Sequence, residues 1–222
     1  MSTTLTINVR NYQDVTQDFY IFQEPAIYSG GSKVYSNSLY TEQLGNYDKY
    51  GAILTFEVNL QFYAGIQQAN TPPAIGQTSG FESAWRAVNL TPASGSAVDN
   101  SAEASIDPIG MLATTSDPNA QPGSFRIVTP EFFPPAVNIG SAVETRNGGI
   151  VLSNFITAKP LNFTDCQPII KYYVQTGGYR GGTVMNFTQS SINAGLCDFT
   201  GGVSAIDVSL QPNGRWDVTA VG

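Results

Sequence analysis

Carboxylates are the groups with which this chain would most readily perform acid-base chemistry. It has 17 Asp and Glu residues and no histidine. The lack of histidine excludes Ser-His and Cys-His nucleophile pairs and His-containing zinc or iron sites. Two carboxylates about 5–10 Å apart would suffice for glycoside hydrolysis, but local sequence singles out no acid. We therefore predict a protein that is not an enzyme and uses no cofactor, with a carboxylate glycosidase as the remaining catalytic alternative.

Two cysteines, Cys166 and Cys197, are too few to complete a tetrahedral zinc site. If they face each other across neighbouring strands, they would close a disulfide worth about 3–4 kcal/mol in the chain-entropy model. Alternatively, both are free thiols that pack as small hydrophobic side chains. The acidic stretch at 99–107 has no EF-hand spacing, so no metal site is predicted.

Tyrosines are concentrated between residues 24 and 51, in a segment otherwise rich in Ser, Gly and Asn. Tyrosine supplies rigid contact area and Ser and Asn supply adaptable hydrogen bonds, which is typical of recognition loops. We predict that the segment contacts a ligand, such as a sugar ring, or a partner. The alternative is that the tyrosines cover the open ends of a sandwich, with the ring inward and the hydroxyl in water. The predicted contact residues are Tyr28, Tyr35, Asn37, Tyr40, Tyr47, Asp48 and Tyr50.

Strands must position these groups, and the clearest strand signal lies at residues 52–66. Every even position from Ala52 to Ile66 is apolar, which predicts one long strand over about 50–67 with a bulge or kink at Gly65. The odd positions are polar with little charge, whereas exposed edges usually carry Lys and Glu. We predict that this face contacts other copies of the chain, with simple solvent exposure as the alternative. The predicted assembly face is Thr55, Glu57, Asn59, Gln61 and Tyr63.

Strand and turn patterns recur along most of the chain, without convincing helical periodicity. Hairpins are predicted at Asn147-Gly148 and Asn213-Gly214, and a third with its tip at 177–182. Residues 68–123 are dense in Pro, Gly and Ser, so they are predicted to be a loop-rich insertion with short edge strands near 84–90 and 103–112. We expect one all-β domain over residues 1–222, an antiparallel β-sandwich with long loops and a jelly roll as one candidate.

Charge and composition limit the partners. The net charge is −7, and 12% of residues are charged where about 25% is usual. Lys and Arg are scattered singly, which argues against nucleic acid, and no apolar run is long enough for a membrane span. No signal peptide pattern opens the chain, so we expect a cytoplasmic protein or one exported by a leaderless route. A neutral polar surface favours protein contacts, so we predict a homo-oligomer, filament or lattice, with a carbohydrate-binding module using residues 24–51 as the alternative.

One stretch carries a family resemblance. The run INVRNYQDVTQDFYIFQEPAIYSGGSKVYSNSLY (7–40), followed by QFYAGIQ (61–67), resembles small, abundant bacterial proteins of the rhizosphere-expressed kind. The resemblance covers about the first third of the chain and contains no catalytic motif. It implies a bacterial protein without enzymatic activity, and it assigns no residue roles.

Overall fold

β-Strands dominate the computed structural model, which describes residues 3–30, 33–69, 71–96, 98–133, 137–145 and 149–221. These residues form nineteen strands in three sheets and two short helices, α1 (Tyr47–Tyr50) and α2 (Phe187–Ser191). The predicted all-β sandwich is therefore confirmed. No helix within the described ranges is long and apolar enough to cross a membrane.

The smallest sheet has four strands and joins both ends of the chain. Its order is β19 (Trp216–Val221), β18 (Ala205–Leu210), β1 (Thr4–Asn11), β5 (Leu54–Asn59). Alternate residues of β1 and β5 are buried, as the sequence pattern predicts. The β1–β18 pair is parallel, which the hairpin signals did not predict.

The largest sheet has nine strands and forms the common layer of the molecule. Along it lie β17 (Gly195–Asp198), β15 (Lys171–Thr176), β2 (Gln17–Gln23), β4 (Tyr35–Leu44), β13 (Ile150–Thr157), β12 (Val137–Glu144), β6 (Phe62–Gln68) and β7 (Glu82–Val88), with β16 (Val184–Met185) paired to β4. Strand β4 joins the two halves, because residues 38–44 pair with β2 and residues 35–36 pair with β13.

The third sheet has six strands. They are β10 (Thr115–Ser116), β8 (Asp99–Ile106), β11 (Phe125–Thr129), β14 (Asn162–Gln167) and β3 (Ile27–Tyr28), with β9 (Ile109–Met111) paired to β8. Strands β8 and β11 run parallel, and the other pairs in this sheet are antiparallel.

The two larger hydrophobic cores lie on the nine-stranded sheet, and two smaller clusters accompany them. The first packs the four-stranded sheet against β2, β4 and β15, around residues such as Ile7, Phe19 and Val208. The second packs the six-stranded sheet against β6 and β12, around residues such as Phe125 and Ile139.

Of the two alternatives for Cys166 and Cys197, the disulfide is wrong, because the two cysteines lie in different cores. Cys197 belongs to the first core and Cys166 to the second. Both are free and fully buried. The alternative, two buried thiols that pack as small hydrophobic side chains, is the one that the structure confirms.

The predicted long strand at 50–67 is divided between two sheets. Strand β5 ends at Asn59 and β6 begins at Phe62 in the other sheet, and a tight turn joins them through Gln61 N–H, which donates to the Asn59 carbonyl. The even positions inside the strands are buried at Leu54, Phe56, Val58, Ala64 and Ile66, because each strand faces a core, whereas Leu60 and Phe62 at the turn are half-buried. Gly65 is not a kink: it pairs regularly on both sides, and a Cβ there would lie 2.8 Å from Leu152 Cδ1.

Most described residues of 68–123 lie outside strands, as the loop-rich interpretation predicts, but the strands there differ from the predicted short edge strands. Strand β7 is an edge strand, as predicted, but β8 lies inside its sheet between β10 and β11. Prolines do not interrupt these strands because every proline in the range falls between them. Strand β8 has only a weak apolar alternation in the sequence, because its buried residues, such as Ala102 and Ala104, are small.

Two of the three predicted hairpins are present. Strands β18 and β19 form one, and β12 pairs with β13 although Asn147 and Gly148 lie outside the described residues. The third is wrong, since β15 pairs with β2 and β17 while β16 pairs with β4. The glycine-rich segment between them spans two strands instead: Gly177 N–H donates to the Asp18 carbonyl and Gly182 N–H to the Ser38 carbonyl.

Candidate functional site

Two of the predicted ligand-contact residues, Tyr28 and Asn37, are interior residues. Tyr28 is buried, its hydroxyl lies 2.7 Å from the Asn154 carbonyl oxygen as donor, and it accepts the Ser141 N–H at 3.1 Å. Burial raises the pKa of Tyr28. Asn37 donates to the Leu152 carbonyl at 2.7 Å. Neither residue is available to an external ligand, so the structure contradicts these two assignments.

Tyr35 is half-buried at the start of β4. Its ring stacks on Phe155 with the ring centroids 5.4 Å apart, and Lys33 Nζ lies 4.9 Å from the Tyr35 centroid. This packing agrees with the alternative in which the tyrosines cover the open ends of the sandwich.

Helix α1 separates the last three predicted contacts from the others. Asn46 caps it by accepting the Lys49 N–H at 2.9 Å, which is the usual role of Asn at this position. Tyr47 packs edge-on against Tyr12 at 5.4 Å. Asp48 is exposed and Tyr50 is 72% exposed. The seven predicted residues therefore do not form one recognition loop.

Tyr40, by contrast, lies in a cleft of about 380 Å³ between β4 and β5. Its hydroxyl donates to the Glu42 carboxylate, and its ring stacks loosely on Phe56 at 6.3 Å. Because side chains alternate along β4, Tyr40 and Glu42 lie on the same face of the strand. The cleft offers hydroxyl, amide and carboxylate groups above an apolar floor. The described residues that line it are Tyr40, Glu42, Gln43, Leu44, Ala52, Ile53, Leu54, Thr55, Phe56 and Thr145.

The five side chains of the predicted assembly face are half-buried: Thr55, Glu57 and Asn59 belong to β5, Tyr63 belongs to β6 in the other sheet, and Gln61 lies in the turn between them. Asn59 Nδ2 and the Tyr63 hydroxyl both donate to Glu144 Oε2 at 2.9 Å, and burial together with this carboxylate raises the pKa of Tyr63 to about 12. Thr55 donates to Asn8 Oδ1, and Gln61 donates to the Val88 carbonyl. Because these contacts are internal, the structure does not gather the five side chains into one open surface.

Strand β19 is an edge strand whose apolar row is left uncovered. Its residues Trp216, Val218 and Ala220 lie opposite Leu210, Val208 and Ile206 of β18, as the hairpin pattern predicts. The β18 residues are buried, but Val218 is 39% exposed and Ala220 is exposed. Of this row, Trp216 packs against the first core, whereas Val218 and Ala220 do not belong to it.

Trp216 anchors the start of this strand. Its ring packs edge-on against Phe19 with the centroids 6.1 Å apart, and its indole N–H donates to the Asn193 carbonyl at 2.7 Å. The strand is therefore fixed at one end to the first core, while the row beyond Trp216 is open.

The hydrogen-bonding direction of β19 follows from its turn. Gln211 N–H donates to the Arg215 carbonyl at 2.8 Å, and Gly214 at φ 80° closes a three-residue loop with a bulge. In an antiparallel pair, residues alternate between hydrogen-bonded and non-hydrogen-bonded positions. Odd residues of β19 therefore point their backbone groups at β18. The N–H and C=O of Trp216, Val218 and Ala220 point outward, where no described residue pairs with them.

The other long edges are better protected. Strand β5 is bridged by Val58 to Thr145. Strand β7 carries Glu82 and Arg86, and Arg86 donates to the carbonyls of Met111 and Leu112 beside β9. Strand β19 has a single charged residue, Asp217. Natural edges usually carry charge, proline or a cover against pairing, and the edge of β19 has little of this protection.

Comparisons with known proteins identify no relative: no family model, no curated protein and no solved structure matches the chain. No cluster of three or more potential metal ligands occurs among the described residues.

Proposed function

We propose that this protein is not an enzyme and works as a homo-oligomer that associates through the open edge of β19. The observation that carries the proposal is a six-residue edge strand with outward backbone groups unpaired among the described residues and an exposed apolar row. Sheet edges of this kind are templates for strand pairing. The low fraction of charged residues supports the same proposal, because the buried centre of a protein contact is usually depleted of charged side chains.

Sedimentation velocity of the wild-type protein and a Val218→Lys variant tests the proposal. Lysine at the edge would place an ammonium group within the contact, so the variant should sediment as a monomer where the wild type sediments as an oligomer. Val15→Lys is the matched control, because Val15 is 59% exposed and lies in the β1–β2 connection. The proposal fails if the wild type is a monomer at concentrations up to about 1 mM, the range of the weakest specific complexes.

A second function, binding of a neutral saccharide, is favoured by the cleft between β4 and β5. Its volume lies within the range of small-molecule sites. The Tyr40 ring would stack on a sugar face, and Glu42 would accept hydrogen bonds from the sugar hydroxyls.

A glycan array with wild-type, Tyr40→Ala and Tyr50→Ala proteins tests this second function. Tyr50 comes from the same tyrosine-rich segment but does not line the cleft, so its loss should leave binding unchanged. Loss of binding only in Tyr40→Ala supports the site. No binding by the wild type, or equal loss in both variants, contradicts it.

A further inference from the structure

We propose that two copies pair β19 with β19 antiparallel, with Val218 on the two-fold axis. The inference rests on the proposed self-association and specifies its register. A second copy of the chain suits this edge because, when β19 pairs antiparallel with itself, the outward-facing residues of one copy lie opposite the outward-facing residues of the other. Such an interface is isologous, the commonest kind in homo-oligomers. Pairing would join the two four-stranded sheets into one continuous sheet of eight strands.

Backbone direction restricts the register. Trp216, Val218 and Ala220 point their N–H and C=O groups outward, so an even residue must lie opposite an even residue of the partner. With Val218 on the axis, Trp216 lies opposite the partner's Ala220 and Val218 opposite the partner's Val218. Three hydrogen-bonded residue pairs then form, with about six N–H···O bonds at two per pair. Centring on Asp217 or Thr219 leaves only two such pairs within β19.

Side chains favour the same register. The exposed apolar row of one copy continues into the row of the other, on the face that covers the first core. On the opposite face, Asp217 lies across from the partner's Thr219, whose hydroxyl is a suitable donor. A register centred on Asp217 would instead place two carboxylates directly opposite each other, which is unfavourable.

The edge alone is a small contact compared with the roughly 800 Å² that each partner buries in a standard interface. Ile192, which is 71% exposed, lies next to Asn193, the acceptor of the Trp216 indole. We therefore expect a reversible dimer and not an obligate one.

Disulfide trapping of the full chain tests the register. In Val218→Cys, the two-fold pair would hold the Cα atoms about 5.5 Å apart, within disulfide range. Asp217→Cys and Thr219→Cys each place their own copies about 8 Å apart, beyond that range. A mixture of these two variants, however, places each cysteine opposite the other. The native thiols do not interfere, because both are buried and burial raises the pKa of each.

The expected result on mild oxidation is a Val218→Cys dimer that forms at least about tenfold faster than a dimer of either flanking variant alone, since those pairs exceed disulfide geometry. The flanking variants should give mixed dimers, identified by mass. Faster trapping of Asp217→Cys or Thr219→Cys alone would overturn the register while leaving self-association intact. If no variant is trapped although the wild type sediments as a dimer, association occurs elsewhere and the β19 pairing is wrong. A monomeric wild type rejects both proposals.

Discussion

Replacing Tyr28 by phenylalanine removes one hydroxyl from a buried polar junction. That hydroxyl accepts the Ser141 N–H at 3.1 Å and lies 2.7 Å from the carbonyl oxygen and 2.9 Å from the Oδ1 of Asn154. Its single proton reaches one of these oxygens at a time. Asn154 Oδ1 keeps the Ala26 N–H as a partner at 3.0 Å, so the main loss is at Ser141 N–H and the Asn154 carbonyl.

The expected cost is about 2 kcal/mol, because a buried polar group left without its partner loses about 1–3 kcal/mol. For a chain of this size that corresponds to a Tm lower by roughly 4–8 °C. Urea unfolding of Tyr28→Phe measures the free energy, with Tyr50→Phe as the matched control in the same segment. Tyr50 is 72% exposed and should change stability by less than about 0.5 kcal/mol.

Equal, small effects of the two substitutions would refute the assignment of Tyr28 as an internal hydrogen-bonding residue. Loss of ligand binding in Tyr28→Phe without loss of stability would restore its original interpretation as a contact residue.

Three further predictions concern packing, acid stability and thiol reactivity. Gly140→Ala should lower the unfolding free energy by about 3 kcal/mol or more, since its Cβ would lie 2.2 Å from a carbonyl oxygen, while Gly178→Ala, with open space around it, should be nearly neutral in the same urea titration. Hydrogen bonds from the Asn8 amide and then the Arg10 guanidinium, both in β1, lower the pKa of Asp207, so ionised Asp207 stabilises the folded protein above about pH 4 and this stabilisation is lost as the pH falls through the folded pKa. The difference in unfolding free energy between wild type and Asp207→Asn should therefore shrink on acidification. A difference that does not change with pH contradicts this. Cys166 and Cys197 should resist a thiol-reactive dye at pH 8 in the folded protein, and both should react in urea. The reason is that burial raises the pKa of Cys166 and raises that of Cys197 to about 12. Rapid labelling of the folded protein would show that the thiols are accessible.

Strand patterning is the part of the fold that sequence predicts best. Alternation in β1 and β5 identifies both strands and their buried faces. It does not reveal that the chain leaves one sheet at Asn59 and enters another at Phe62, because the same alternation suits a core on either side. The division between sheets depends on which strands meet later, a long-range property that no local pattern contains.

Composition misleads about where neutral polar residues lie. The low fraction of charged residues predicts a neutral polar surface, yet five of the neutral asparagines are essentially inaccessible. They are Asn11, Asn37, Asn100, Asn138 and Asn154. Their amide N–H groups donate to carbonyls and hydroxyls, for example from Asn100 in β8 to Thr91 at 2.7 Å and from Asn138 in β12 to the Ser79 carbonyl at 2.9 Å, both in connecting segments. Such residues are tolerated inside because hydrogen bonds offset the cost of removing the amide from water.

The same limit applies to the candidate sites. The hairpin signal at Asn213-Gly214 correctly predicts β19 and its apolar row. It does not show that Val218 and Ala220 stay exposed, which is the observation on which the proposed pairing of β19 depends. The cleft at Tyr40 likewise forms from β4 and β5, whose approach depends on the packing of two sheets.

Sedimentation velocity over a range of protein concentrations, with wild type and Val218→Lys side by side, tests the central claim most directly. The wild type is expected to shift from monomer toward dimer as concentration rises, and the variant is expected to remain monomeric. A wild type that stays monomeric throughout, or a variant that dimerises equally well, would contradict the claim.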